Sequence, residues 1–215
     1  VATIVRVFEE AGGRLLLRDC GTHYELLLGQ TPLLSSKALA TERAFGELVR
    51  DLGLGEGPRV LVGGLGFGAT LSAVLGCTGP EARVTVVEKL AAVVELLRTD
   101  LAHLAPGVLE DPRVALERDD VADVITRARD LDAILLDVDN GPGWASFREN
   151  ARLYAPDGLS RAFEALSPGG AYAVWSGYPA DAFLGALRRA GFTASVIPFR
   201  EKGTIRARAY VGRKP

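Results

Sequence analysis

The stretch Val60-Leu61-Val62-Gly63-Gly64-Leu65-Gly66-Phe67-Gly68-Ala69 decides the fold. Its apolar start reads as a strand, its glycines as a sharp turn, and the residues from Ala69 as the opening of a helix. Four glycines in six positions exceed the needs of one tight turn. They suit a backbone that a ligand approaches where a Cβ would clash. The following strand, Val84-Thr85-Val86-Val87-Glu88, closes on a carboxylate that can accept two hydrogen bonds from ribose hydroxyls. Loop and acid together point to a nucleoside site.

Downstream, strand and helix alternate. Arg59–Val62 is a strand, and a helix runs from Ala69 to Leu75. Arg83–Val87 is the next strand, and Leu90, Val93, Val94, Leu97, Leu101 and Leu104 mark one long amphipathic helix. Val114–Leu116 is a third strand, Val121–Ala128 a helix, and Ala133–Leu136 an apolar run of the kind buried on both faces of a parallel sheet. Leu159–Leu166 is helical and is stopped by Ser167-Pro168-Gly169-Gly170 before the strand Ala171–Trp175. A helix over Ala180–Ala190 precedes two strands, Thr193–Ile197 and Ile205–Val211, with no helix between them. The expectation is an α/β fold with a doubly wound, mostly parallel sheet, closed at one edge by an antiparallel hairpin. Ligands should sit at the carboxyl ends of its strands.

Upstream, three strands, Thr3–Glu9, Arg14–Arg18 and Thr22–Leu28, form a small antiparallel β unit over residues 1–34, with Gly29-Gln30-Thr31-Pro32 breaking the run. Ser35 or Ser36 caps a helix to Leu52 that carries Phe45, Leu48, Val49 and Leu52 on one face. Residues 35–215 form the main domain.

Totals narrow the function. The 215 residues are 48% hydrophobic with a formal net charge of −2, which gives no general attraction for nucleic acid or anionic membrane. No apolar run approaches the roughly 20 residues that span a bilayer. The charged, alternating first residues do not read as a signal peptide, and Cys20 and Cys77 alone do not make a disulfide scaffold, so a cytoplasmic location is expected. With only His23 and His103, no dedicated metal site is expected.

Two nucleotide readings compete for the glycine loop. Gly64-x-Gly66-x-x-Ala69, with Glu88 about 20 residues on, satisfies a loose dinucleotide fingerprint. The closing hairpin, and the lack of an obvious hydride-transfer site, argue against a nicotinamide enzyme. Gly64-x-Gly66-x-Gly68 suits an adenosine-linked amino acid or amine.

The block Val60–Glu88, followed by Asp111-Pro112-Arg113-Val114, Arg118-Asp119-Asp120 and Leu135-Leu136-Asp137, resembles the spermidine synthase family, within the fold of S-adenosylmethionine-dependent methyltransferases. Asp137-Val138-Asp139-Asn140-Gly141-Pro142, with Asn150, Leu153-Tyr154 and Gly158-Leu159, is similar to a bacterial spermidine-synthase-like branch. The resemblance implies a seven-stranded Rossmann-like sheet and a co-substrate that is S-adenosylmethionine or its decarboxylated form, without metal. It also implies a small amine acceptor and a homodimer. Gly64, Gly66 and Gly68 would lie against the donor's methionine-derived chain, Glu88 would hold the ribose, and Asp120 would accept from the adenine amino group, with Asp119 as the adjacent alternative. Gly63, Leu65, Lys89 and Val121 complete the implied donor-binding set, and Asp137 would face the reacting centre.

The sequence departs from the family where the acceptor binds. The family's second aspartate is Asn140 here, and Asp139 offers a carboxylate one residue earlier. The Tyr-His-Glu segment is replaced by Ala40-Thr41-Glu42, and Gln30 has no secure counterpart. Asp137 is the leading candidate for drawing in and deprotonating an amine, with Glu42 and Asp139 behind it. Loss of one acid predicts weak or altered use of a polycationic acceptor. Trp144, Phe147, Tyr154 and Trp175 are candidates for an acceptor pocket, and Trp144 for a lid. Cys77, His23 and His103 read as packing or surface residues. The basic tail, with Arg200, Lys202, Arg206, Arg208, Arg213 and Lys214, reads as a solvated hairpin. Aminopropyl transfer leads, ahead of methyl transfer to a small molecule, a nicotinamide dehydrogenase and a non-catalytic nucleoside-binding relative.

Overall fold

The structure, a computed structural model, describes residues 2–138, 141–142 and 150–215. A seven-stranded sheet takes β5 (Arg59–Gly63), β6 (Arg83–Val87), β7 (Val114–Glu117), β8 (Leu131–Leu136), β9 (Leu166–Ser176), β10 (Thr193–Glu201) and β11 (Thr204–Arg213) in the order β10-β11-β9-β8-β5-β6-β7. Pairings from β7 to β9 are parallel. β11 runs antiparallel to both its neighbours, so the expected closing hairpin is present.

Helices cover both faces. On one lie α1 (Leu39–Glu47), α2 (Ala69–Cys77) and α3 (Ala91–Arg98). On the other lie α4 (Val121–Arg127), α5 (Ala151–Tyr154), α6 (Pro156–Ala165) and α7 (Ala182–Arg189). Val60, Leu61 and Val62 are each 1% exposed or less, because the central strand is covered from both sides. Strand order reverses between β5 and β8, and a crevice opens there at the carboxyl ends.

A second, four-stranded antiparallel sheet contains β1 (Thr3–Glu10), β2 (Gly13–Asp19), β3 (Tyr24–Leu28) and β4 (Thr31–Ser35). Its Leu15, Leu17 and Leu26 are fully buried in the same core as α1, α2 and α3. Glu10, at the end of β1, caps α3: its carboxylate accepts from Ala91 N–H at 2.7 Å and Ala92 N–H at 2.9 Å. That places a negative charge on the positive end of the helix and fixes the sheet against it.

Three element readings change. Gly29-Gln30 turns the chain, but Thr31 and Pro32 do not break it. They begin β4, an edge strand, where a proline costs no ladder hydrogen bond. The helix after β6 stops at Arg98, because Thr99 leaves helical geometry at φ −126° and ψ −98°. Leu101 and Leu104 reach the core from separate turns. Ser167–Gly170 lies within β9, where the pairing with β8 shifts register between Leu131 and Ala133.

Candidate functional site

Gly64 leaves β5 at φ +87°, donates its N–H to Val87 O at 2.9 Å, and passes so close to β8 that a Cβ would lie 2.3 Å from Asp137 O. Only glycine satisfies both the backbone angle and the approach. Gly66, at φ +49°, has room for a Cβ, whose nearest neighbour would be Leu34 Cδ2 at 4.0 Å. The loop ends where Gly68 N–H meets Leu65 O at 2.8 Å and α2 begins.

The loop is held by Glu88. Its Oε2 accepts from Leu65 N–H at 3.0 Å and its Oε1 from Leu90 N–H at 2.8 Å. The residue is only 9% exposed. Burial raises the carboxyl's pKa, opposed by the backbone N–H groups of Leu90, Leu65, Gly66 and Lys89. The carboxylate therefore fixes the loop and borders the crevice together.

A cavity of about 440 Å³ fills that crevice. Its wall includes Gly64, Gly66, Glu88, Lys89, Asp119, Asp120, Val121 and Asp137, with Val138 and Asn150. Ala11, Leu33 and Leu34 close it from the N-terminal sheet, and Leu90 and Val93 from α3. Glu88, Asp120 and Asp137 stand at the ends of β6, β7 and β8. At roughly 4.8 Å per strand, the cavity floor runs about 14 Å from Asp137 to Asp120. That length suits an extended adenosyl chain.

Not every residue of the expected donor set lines this wall. Gly63 is packed where a Cβ would meet Leu136 and Val121, Gly68 where it would meet Ala105. Leu65 contributes its N–H to Glu88 while its side chain is core. Asp120 caps α4 through Ala122 N–H at 3.0 Å, and its carboxylate also meets Arg152 at 2.8 Å and Lys89 at 3.6 Å. Asp119 pairs with Arg127 at 2.8 Å. Asp139, Asn140, Trp144 and Phe147 lie outside the described residues.

A second pocket of about 150 Å³ adjoins the first and shares Leu33, Leu34, Asp137 and Val138 with it. Glu42, Ala38, Phe67 and Trp175 also line it. Asp137 stands at the junction, and its Oδ2 accepts from Thr70 Oγ1 at 2.6 Å. Burial pushes the Asp137 carboxyl up to about 6 against the pull of that hydrogen bond. Glu42 is pushed well above the usual carboxylate range, first by burial and then by the charge of Asp137, with Arg43 opposing. Burial thus favours the protonated form of both acids, and the negative charge of one opposes ionisation of the other.

Glu42, placed behind Asp137 on sequence grounds, lines the second pocket beside it. Thr70 carried no signal at all: it sits 67 residues from Asp137, and only the packing of α2 over β8 brings them together. Tyr154 is core, in edge contact with Phe183. Trp175 is 8% exposed and does line the second pocket.

Polyamine aminopropyltransferase of Mycobacterium tuberculosis is 31% identical to the chain over 150 residues, covering 65% of this chain and 27% of that protein. The same enzyme name and figures recur in Mycobacterium bovis. The chain thus spans about a quarter of the length of the curated relatives it matches. No family model matches it. Among solved structures, a spermidine synthase in complex with the transition state analogue AdoDATO superposes with a TM-score of 0.75 at 18% identity, covering 99% of this chain and 72% of that one. Spermidine synthase from Thermotoga maritima gives a TM-score of 0.75 at 19% identity, covering 98% and 72%. The chain has the spermidine synthase fold, and the resemblance read from its sequence is borne out.

Proposed function

We propose that the chain carries the donor and transfer site of an aminopropyltransferase, with decarboxylated S-adenosylmethionine as donor and a small amine as acceptor. One observation carries the choice of donor. The second pocket is lined by Glu42 and Asp137 and, among the described residues, by no cation. The one cation in the larger cavity's described wall, Lys89, meets Asp120 three strands from Asp137. A donor that kept its carboxylate would set it against two acids with no counter-charge. The decarboxylated donor sets an ammonium there instead.

In this reading Glu88 accepts from the ribose hydroxyls, Asp119 and Asp120 border the adenine, and Gly64 and Gly66 leave room for the sulfonium chain. The amine enters the second pocket as an ammonium and loses a proton to the Asp137–Glu42 pair. Its nitrogen lone pair then attacks the propyl carbon bound to sulfur. The carbon–sulfur bond breaks with its electron pair going to sulfur, and neutral methylthioadenosine leaves. The leaving group is already activated, so the protein supplies alignment and one proton acceptor.

The test is a chromatographic assay of purified protein with a panel of amines. Methylthioadenosine should form with the decarboxylated donor and an amine present. Methylation of an amine by S-adenosylmethionine, with no reaction of the decarboxylated donor, would overturn the reading.

A further inference from the structure

The turn from β2 to β3 gathers three donor atoms that take no part in the nucleoside site. His23 Nε2 lies 3.0 Å from Glu25 Oε1, and Cys20 Sγ lies 3.8 Å from Glu25 Oε2. One ligand atom from each of the three residues falls within 4.8 Å of the others. All three residues are partly buried, and none lines either pocket. Cys20 N–H donates to His23 O at 2.9 Å, which closes the turn that brings thiol and imidazole together.

The atoms behind these three are arranged as well. Thr22 Oγ1 lies 3.0 Å from His23 Nδ1, which leaves Nε2 facing Glu25. Arg18 holds Glu25 Oε2, which leaves Oε1 facing the imidazole. Partners of this kind on the far side of an imidazole and a carboxylate orient both groups in metal sites.

We propose that Cys20, His23 and Glu25 form a three-ligand site for a borderline divalent ion of the zinc class, with a fourth position open to water. Tetrahedral bonds of about 2.0–2.3 Å hold neighbouring ligand atoms roughly 3.3–3.6 Å apart, and here one atom from each residue lies within 4.8 Å of the others. Entry of the ion therefore asks the ligand atoms to draw together by no more than roughly 1.5 Å. Cys20 gives up its thiol proton on binding, so thiolate and carboxylate together balance the divalent charge around a neutral imidazole. Arg18 stays on Oε2 as an outer partner. Without an ion, the same side chains close as an Arg18–Glu25–His23 network, which is the competing outcome.

Cobalt(II) titration of the full chain after chelator treatment separates the two. The expected result is one ion per chain, with thiolate-to-cobalt charge-transfer absorption and tetrahedral ligand-field bands, both displaced by zinc. Cys20→Ser should abolish the charge-transfer band, whereas Cys77→Ser should leave it. Thr22→Val, which removes only the partner of His23 Nδ1 and no ligand atom, should weaken zinc binding by about 10–100-fold. No thiolate band on cobalt addition, a band that survives Cys20→Ser, or zinc affinity unchanged in Thr22→Val would each overturn the proposal. Unaltered circular dichroism of the variants shows that folding is not the cause.

Discussion

Burial raises the Asp137 carboxyl, and the hydrogen bond it accepts from Thr70 Oγ1 opposes that rise. With its carboxyl held at about 6, the group is a proton acceptor above that pH and is already protonated below it. In the proposed reaction kcat/KM should therefore rise with pH through about 6. Thr70 favours the charged form, so Thr70→Val should move the rising limb to higher pH. The shift should be about one unit, the worth of one ordinary hydrogen bond. A pH–rate profile of both proteins checks this. A limb that stays in place or moves to lower pH would remove Asp137 from the role. Thr70 Oγ1 also lies 3.2 Å from the backbone carbonyl of Glu42, so Thr70→Ser, which keeps the hydroxyl, should leave the limb in place.

At the scale of elements, the glycine loop divides between fold and ligand. Gly64 is constrained by the backbone of Asp137, 2.3 Å from where its Cβ would be, whereas the nearest atom to a Cβ on Gly66 is Leu34 Cδ2 at 4.0 Å. Gly66→Ala should cost only the strain of a left-handed alanine, about 1–2 kcal/mol, or a few degrees in Tm. Gly64→Ala carries the same strain and must also push β5 from β8, so its fall in Tm should be at least about twice as large. Equal falls in thermal melts of the two variants would mean that the close approach is not real. The strand–turn–helix here was legible in the sequence because glycine spacing and apolar runs are local signals. The position of Glu88 at a strand end was legible for the same reason. The stop of α3 at Arg98 was not, since Leu101 and Leu104 keep helical spacing while reaching the core from turns. β4 was hidden by a proline that an edge strand tolerates.

At the scale of the whole molecule, the site is built by surfaces far apart in the chain. Ala11, Leu33 and Leu34 come from the N-terminal sheet, yet they close the cavity whose floor is the carboxyl edge of the main sheet. We propose that this sheet is a wall of the donor site as well as a separate unit in sequence. Its cap on α3 through Glu10 keeps that wall in place. No local pattern announced this, nor the meeting of Glu42 with Asp137, because both depend on how β5 to β8 order themselves and where α1 then packs. Among the described residues no helix is long and apolar enough to cross a membrane. The charge of the second pocket is likewise a property of the assembled molecule, and in the proposed function it makes the donor's carboxylate the deciding group.

Calorimetric titration of the purified chain with decarboxylated S-adenosylmethionine, S-adenosylmethionine and NAD examines that charge most directly. The decarboxylated donor should bind about tenfold or more tightly than S-adenosylmethionine, a difference of at least about 1.4 kcal/mol, and NAD should not bind. Tighter binding of S-adenosylmethionine, or of NAD, would show that the acids at Glu42 and Asp137 do not face the donor's chain.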